Sequence, residues 1–320
     1  MLDAGAELLK ARSTWALPMH DDDVHAFGEA LRLLKEALVR GAAGHDAFAC
    51  EDGMRWCKTS QREIFALKIG QRWLCEGGWR GDSGGHALMY MIEKKSKSDF
   101  AFTILNSGAG IHIFHACDVT QMQQGKARYQ TGLCLSPVKE DRLNLPFLYT
   151  LFRMYFVRHR SHNCFLLYEV LLPTLKSADV PGSGAGHTTP QRAGTCYAKC
   201  MFLALRTLLA DLGVSKVAQK HCMFNFRVFF LEKMVADLDQ IRRFPDSADS
   251  DSELNTDDRI MLTIALKQVA RRCARDAEAS TALQRVHICL QKIWLVAPPM
   301  RWLGLFNRER IDAAVDSVDP

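Results

Sequence analysis

Cys196 follows a short turn, Gln191-Arg192-Ala193-Gly194-Thr195, and leads into an apolar run over 197–212. Met201, Phe202, Leu205, Leu208, Leu209 and Leu212 recur at spacings that put them on one face of a helix. The thiol therefore stands at a helix N-terminus, where unpaired N–H groups and the positive end of the dipole favour thiolate. Gln191, upstream in the turn, can fold back and offer an amide N–H to a developing oxyanion. The plainer reading of this stretch is a buried cysteine opening a core helix, since cysteine is among the most buried residue types.

A second stretch favours chemistry. Residues 84–93, Gly-Gly-His-Ala-Leu-Met-Tyr-Met-Ile-Glu, read as a strand, and 100–106, Phe-Ala-Phe-Thr-Ile-Leu-Asn, as the strand that returns from a Lys/Ser turn. With the turn centred on Ser96, Leu88 faces Ile104, Tyr90 faces Phe102 and His86 faces Asn106. Directly opposed side chains have Cβ atoms about 4.5–5.5 Å apart. The pattern thus sets an imidazole beside an amide oxygen at the open end of an apolar ribbon. A histidine held by an orienting group is what a cysteine nucleophile requires of its base. A one-residue slip would separate the two, so the expectation depends on register.

These segments resemble papain-like thiol proteases. The hairpin through His86 and Asn106 is similar to their histidine and asparagine strands, and Gln191 with Cys196-Tyr197 to their glutamine, cysteine and following aromatic. The order is permuted: His-Asn-Gln-Cys resembles the Ulp-like and YopJ-like clan of deSUMOylases, deubiquitinases and acetyltransferases. That clan commonly has tryptophan after the histidine, where this chain has Ala87, and Asp-Cys-Gly at the nucleophile, where it has Thr195-Cys196-Tyr197. The resemblance implies Cys196 as nucleophile, His86 as general base and then acid, Asn106 as orienting group, and Gln191 as oxyanion donor. It implies no cofactor. The expected substrate is a protein, ubiquitin or a ubiquitin-like conjugate.

Other candidates are weaker. Cys57 and Cys75 precede His86, as in the unpermuted order, but neither opens an apolar helix. Gly81-Asp82-Ser83-Gly84-Gly85 matches the nucleophile box of trypsin-like serine proteases, yet only His20, His25 and His45 lie upstream, in helical or loop sequence. This glycine-rich segment reads instead as a mobile loop leading to His86. Residues 111–115 alternate like a strand, which puts His112 and His115 on opposite faces and argues against a shared metal. No dinucleotide fingerprint or phosphate loop is present.

The chain has 320 residues, 48% hydrophobic and 24% charged, as expected of a globular protein with a real core. With 41 Lys plus Arg against 36 Asp plus Glu, the net charge of +5 carries no nucleic-acid signature. Eleven scattered cysteines fit a reducing, cytoplasmic compartment better than a disulfide framework. No secretion signal and no membrane span are expected.

Residues 5–13 read as a short helix, and Asp21-Asp22-Asp23 cap a helix over 24–40 that Gly41 to Gly44 should end. Around Gly70, 64–69 and 71–74 read as strand segments, and 120–145 as polar loop. Helices are expected over 146–158, 163–175 and 218–244. An acidic loop at 245–257 and helices over 259–277 and 280–295 complete the pattern. The expected fold class is α+β: a small, mostly antiparallel sheet packed against the nucleophile-bearing helix, with α-rich N- and C-terminal segments. The expected division is 1–48 as an N-terminal helical segment, 49–215 as a catalytic thiol-protease-like core, and 216–320 as a helical C-terminal segment. The expected activity is a cysteine hydrolase of peptide or isopeptide bonds. The alternatives are an acyltransferase using the same Cys/His chemistry, or a non-catalytic helical interaction protein.

Overall fold

The computed structural model describes residues 19–82, 84–123, 126–180, 186–188 and 196–243. The expected helices over 5–13, 259–277 and 280–295, the acidic stretch 245–257 and Gln191 lie outside these. The chain falls into two compact units: residues 26–215 form the core of one, and 3–25 together with 216–320 the other. The class is α+β, with an antiparallel sheet and several helices. Among the described residues no helix is long and apolar enough to cross a membrane.

The sheet of the larger unit has strand order β1-β2-β3-β6-β7. Its strands are β1 (Arg72–Gly81), β2 (Gly84–Lys94), β3 (Asp99–Leu105), β6 (Gly132–Lys139) and β7 (Ala178–Val180). Every pairing is antiparallel. A second sheet joins β4 (Cys117–Gln123), β5 (Lys126–Gln130) and β8 (His187–Thr188). Both faces of β2 are covered, which is why its sequence reads as an unbroken apolar run. On one face Trp73, Cys75, Trp79, Leu88, Tyr90 and Ile92 join a core with Cys57 and Ile64 of α2 (Gly53–Phe65) and Phe147, Leu151 and Phe152 of α4 (Leu145–Phe156). Asn144 caps α4, its side chain accepting from the Phe147 N–H at 3.0 Å. Against β2 and β3 lies α6 (Cys196–Asp211). Its last residue, Asp211, pairs with Arg72 at 3.6 Å, on the face opposite Trp73.

Helix α1 (Asp21–Ala49) runs straight through Gly41 and Gly44, which were expected to end it. The two glycines serve close packing instead. A Cβ at Gly41 would lie 2.7 Å from Glu76 Oε2, and one at Gly44 2.5 Å from Phe156 Cζ. At the outer edge of β1, the Arg40 guanidinium donates to the Leu74 carbonyl at 3.2 Å, pairs with Glu63 at 3.0 Å and lies 5.3 Å from the centre of the Trp73 ring.

Three further expectations are corrected. Residues 64–69 are not a strand; Ile64 is buried on α2. Residues 111–115 form a helical turn, α3 (Ile111–Phe114), because Gly110 at φ 79° reverses the chain and His115 N–H donates back to Ile111 C=O. Residues 120–145 are largely strand: β6 is polar toward solvent but buries Leu135 and Val138 against β3. The segment after α4 is helical as expected; we label it α5, a π-helical stretch Leu166–Leu171 continued by a 3₁₀ turn Leu172–Leu175. In the smaller unit α7 (Lys216–Arg243) buries Phe224 and Val228 and brings Cys222 Sγ within 3.7 Å of Met19 Sδ.

Candidate active site

His86 and Asn106 come together. His86 Nε2 lies 2.9 Å from Asn106 Oδ1, and both side chains are buried. They are not directly opposed, however. The observed register pairs Tyr90 with Ile104 and Ile92 with Phe102, two residues away from the expected pairing of Leu88 with Ile104. The turn is the cause. Ser96 Oγ accepts from Asp99 N–H and donates to the Asp99 carboxylate at 2.8 Å, while Lys95 and Ser96 N–H both donate to Asp99 C=O, so the turn is tighter than expected, 95–98, and centred beyond Ser96. A shift of two residues keeps both side chains on one face. Asn106 then leaves the ladder, its N–H donating to Thr131 C=O, and its amide reaches diagonally back to His86.

The orientation of that amide is fixed by backbone groups. Oδ1 accepts from Gly108 N–H at 2.8 Å, and Nδ2 donates to Ala109 C=O at 2.9 Å. Oδ1 is therefore the oxygen, so His86 Nε2 carries a proton and donates it. The Nδ1 lone pair is left over, and among the described residues it has no partner. Burial pushes the His86 pKa below its ordinary value, opposed by the bond to Asn106, and favours the neutral ring. Trp79, opposite His86 on β1, lies with its ring centre 5.1 Å from the imidazole. An aromatic shield for this histidine thus comes from the neighbouring strand instead of the next residue, Ala87. The glycine-rich segment before His86 is the tight turn of the β1–β2 hairpin, with Gly81 paired to Gly84.

Cys196 opens α6 and is half-buried. Among the described residues no hydrogen bond joins it to His86. By strand alternation the His86 ring shares the face of Trp79 and Tyr90, whereas α6 lies on the other. Asp211 sits at Arg72, which pairs with Glu93, and Cys200 lies near enough to Glu76, which pairs with Met89, for that carboxylate to help push its thiol pKa up after burial itself. The four residues back to Cys196 span about 6 Å of helix. Toward His86 the β2–β3 pairing has ended, at Met89 with Leu105, and the Asn106 side chain lies beside His86 in its place.

The upstream thiols are poorly placed for chemistry. Cys57 and Cys75 are fully buried, and burial pushes Cys57 up to about 12 and Cys75 well above its ordinary value. Sequence reasoning missed Trp79, which strand counting from the Gly81–Gly84 turn would have found. It also missed Tyr168, whose hydroxyl accepts from Asn106 Nδ2 at 3.1 Å and for which the sequence carries no signal. Comparison with protein-family models, with curated proteins and with solved structures returned no match.

Proposed function

We propose that the chain is a thiol hydrolase in which Cys196 attacks a peptide or isopeptide carbonyl and His86 handles the proton. The observation that carries this reading is the His86–Asn106 pair. It holds a neutral, buried imidazole with Nε2 occupied and Nδ1 without a partner among the described residues. Nδ1 takes the thiol proton as sulfur bonds to the carbonyl carbon. The same proton passes to the leaving amine as the C–N bond breaks, leaving a thioester. Water then attacks the thioester carbon, giving its proton to Nδ1; the C–S bond breaks, the carboxylic acid leaves, and Nδ1 returns the proton to sulfur. For this reaction Cys196 must reach the ring past the end of the β2–β3 pairing, because α6 lies on the other face of the sheet. Gln191 and the Cys196 N–H are proposed as donors to the oxyanion. The substrate class, ubiquitin-like conjugates, is supported only by the sequence resemblance to the Ulp-like clan.

A panel of ubiquitin-family probes bearing a C-terminal electrophile tests this. Wild-type protein should form a covalent adduct with at least one probe, and Cys196→Ala should form none. An adduct that persists in Cys196→Ala and vanishes in another cysteine variant would move the nucleophile. No adduct with any probe or with a small thiol-directed electrophile would favour the non-catalytic interaction protein. Transfer of the acyl group to an added amine faster than to water would favour the acyltransferase.

A further inference from the structure

We propose that Tyr168 and His115 are positioning residues for His86, holding the Asn106 amide so that the imidazole keeps its proton on Nε2 and presents Nδ1 as a base. The importance of Nδ1 rests on the hydrolase reading above; the coupling itself does not.

The proposal follows the hydrogen bonds from one backbone carbonyl to the ring. His115 Nδ1 lies 2.9 Å from Gln130 C=O, which can only accept, so Nδ1 carries the proton. In the neutral ring His115 Nε2 is then an acceptor, and burial, opposed by the bond to Gln130, favours that ring by lowering its pKa to about 4. Tyr168 Oη is 2.9 Å from this Nε2 and must donate to it. The tyrosine oxygen is thereby left to accept, and it does so from Asn106 Nδ2 at 3.1 Å. From the other end, Gly108 N–H independently requires oxygen at Oδ1. Both ends agree, so each donor and acceptor between Gln130 and His86 has one consistent direction.

The relay is held by packing. Tyr168 and His115 are buried, and the Tyr168 ring stacks on Phe114 at 4.5 Å with 5° between planes. Gly110 lets α5 approach this closely, since a Cβ there would lie 3.1 Å from Cys164 Cβ and 3.6 Å from the Tyr168 ring. If the Asn106 amide turned over, Nδ2 would face His86, and the ring would have to accept on Nε2 and carry its proton on Nδ1. A ring in that state cannot take a proton from a thiol. The tyrosine hydroxyl acts against this tautomer without touching substrate.

The test is the protonation pattern of His86, read from ¹⁵N–¹H spectra of the ring, beside turnover of whichever probe-derived substrate the protein accepts. Wild type should show the proton on Nε2 alone. Tyr168→Phe removes the hydroxyl and little volume; Gly108 and Ala109 still hold the amide, so the substitution should raise the share of the Nδ1-protonated His86 tautomer by about tenfold, the worth of one hydrogen bond, without equalising the two. It should also lower kcat by about tenfold, the strength of one neutral hydrogen bond, with KM nearly unchanged. His115→Phe should behave in the same way. His115→Gln, which can still accept from Tyr168 and donate to Gln130, should keep the wild-type pattern and so separates loss of the relay from loss of fold. Wild-type ring spectra in a folded Tyr168→Phe or His115→Phe would overturn the proposal. A shifted tautomer in a protein with no hydrolase activity would uphold the coupling and sink the hydrolase reading instead.

Discussion

His115 makes folding stability depend on pH in a way that can be worked through. Burial, opposed by the Gln130 carbonyl, lowers its pKa from 6.5 to about 4. A folded pKa below the unfolded one means that the unfolded chain takes up a proton first. The stability contribution is therefore complete above the unfolded value, drains as pH falls through the interval from 6.5 toward 4, and is flat below it. At pH 5 the loss relative to neutral pH is about 2 kcal/mol, and at pH 4 about 3 kcal/mol. His86 and His162 are also held below their ordinary values by burial and add losses of the same sign. A single denaturation curve cannot separate the three, but comparison with His115→Gln can. That variant removes one titration and leaves the other two in place. Urea midpoints with unchanged slopes, measured at pH 7 and pH 5, should show wild type losing about 2 kcal/mol more than His115→Gln over the same interval. Equal losses would show that His115 is protonated in the folded state at pH 5, and with it the direction assigned to the Tyr168 hydroxyl would fall.

Three other outcomes are expected. Gly77→Ala places a Cβ 1.9 Å from Tyr90 Cε2, with the Tyr90 hydroxyl tied to Gly78 N–H at 3.1 Å. It should destabilise by about 1–3 kcal/mol or prevent folding, and an unchanged urea midpoint would mean that the ring is not fixed there. Iodoacetamide at pH 6 should label Cys196 ahead of the exposed Cys50 and Cys117, and far ahead of Cys57, Cys75, Cys164, Cys200 and Cys222, all pushed up chiefly by burial. Cys50 reacting as fast as Cys196 would remove the claim of activation. Gln191→Ala should cut turnover by about 10²–10³ while leaving the melting curve almost unchanged, and a drop under about threefold would place the oxyanion donor elsewhere.

What could be read from the sequence was whatever a single period or local signal determined. The β2–β3 hairpin declared itself because two apolar runs flank a Lys/Ser turn, and the face shared by His86 and Asn106 is unaffected by a register difference of two residues. The register itself was hidden in Ser96, whose hydroxyl organises a tighter turn, centred one residue later, than composition suggested. Gly41 and Gly44 misled because a glycine that admits a neighbour looks the same as one that stops a helix; only Glu76 and Phe156, far away in sequence, distinguish them. The polar strands β4 to β6 were missed for a related reason. Their place in the sheets comes from pairing with other strands, which leaves little mark on a residue's own neighbourhood. Tyr168 and His115 reach Asn106 from distant segments, a convergence that no spacing could announce.

The guarding of β1 bears on how copies of this protein behave toward one another. An open row of backbone donors and acceptors invites a strand from a neighbouring molecule, and such additions can propagate into fibres. The main sheet has two ends at which this could begin. At one, Arg40 occupies the Leu74 carbonyl and is itself held by Glu63 and the Trp73 ring, so an incoming strand meets a charge already in its place. At the other, β7 is three residues long, Ala178–Val180, too short to register a second chain. Among the described residues, the sheet that carries His86 is thus guarded against a second strand at Leu74 on one margin and by the shortness of β7 on the other.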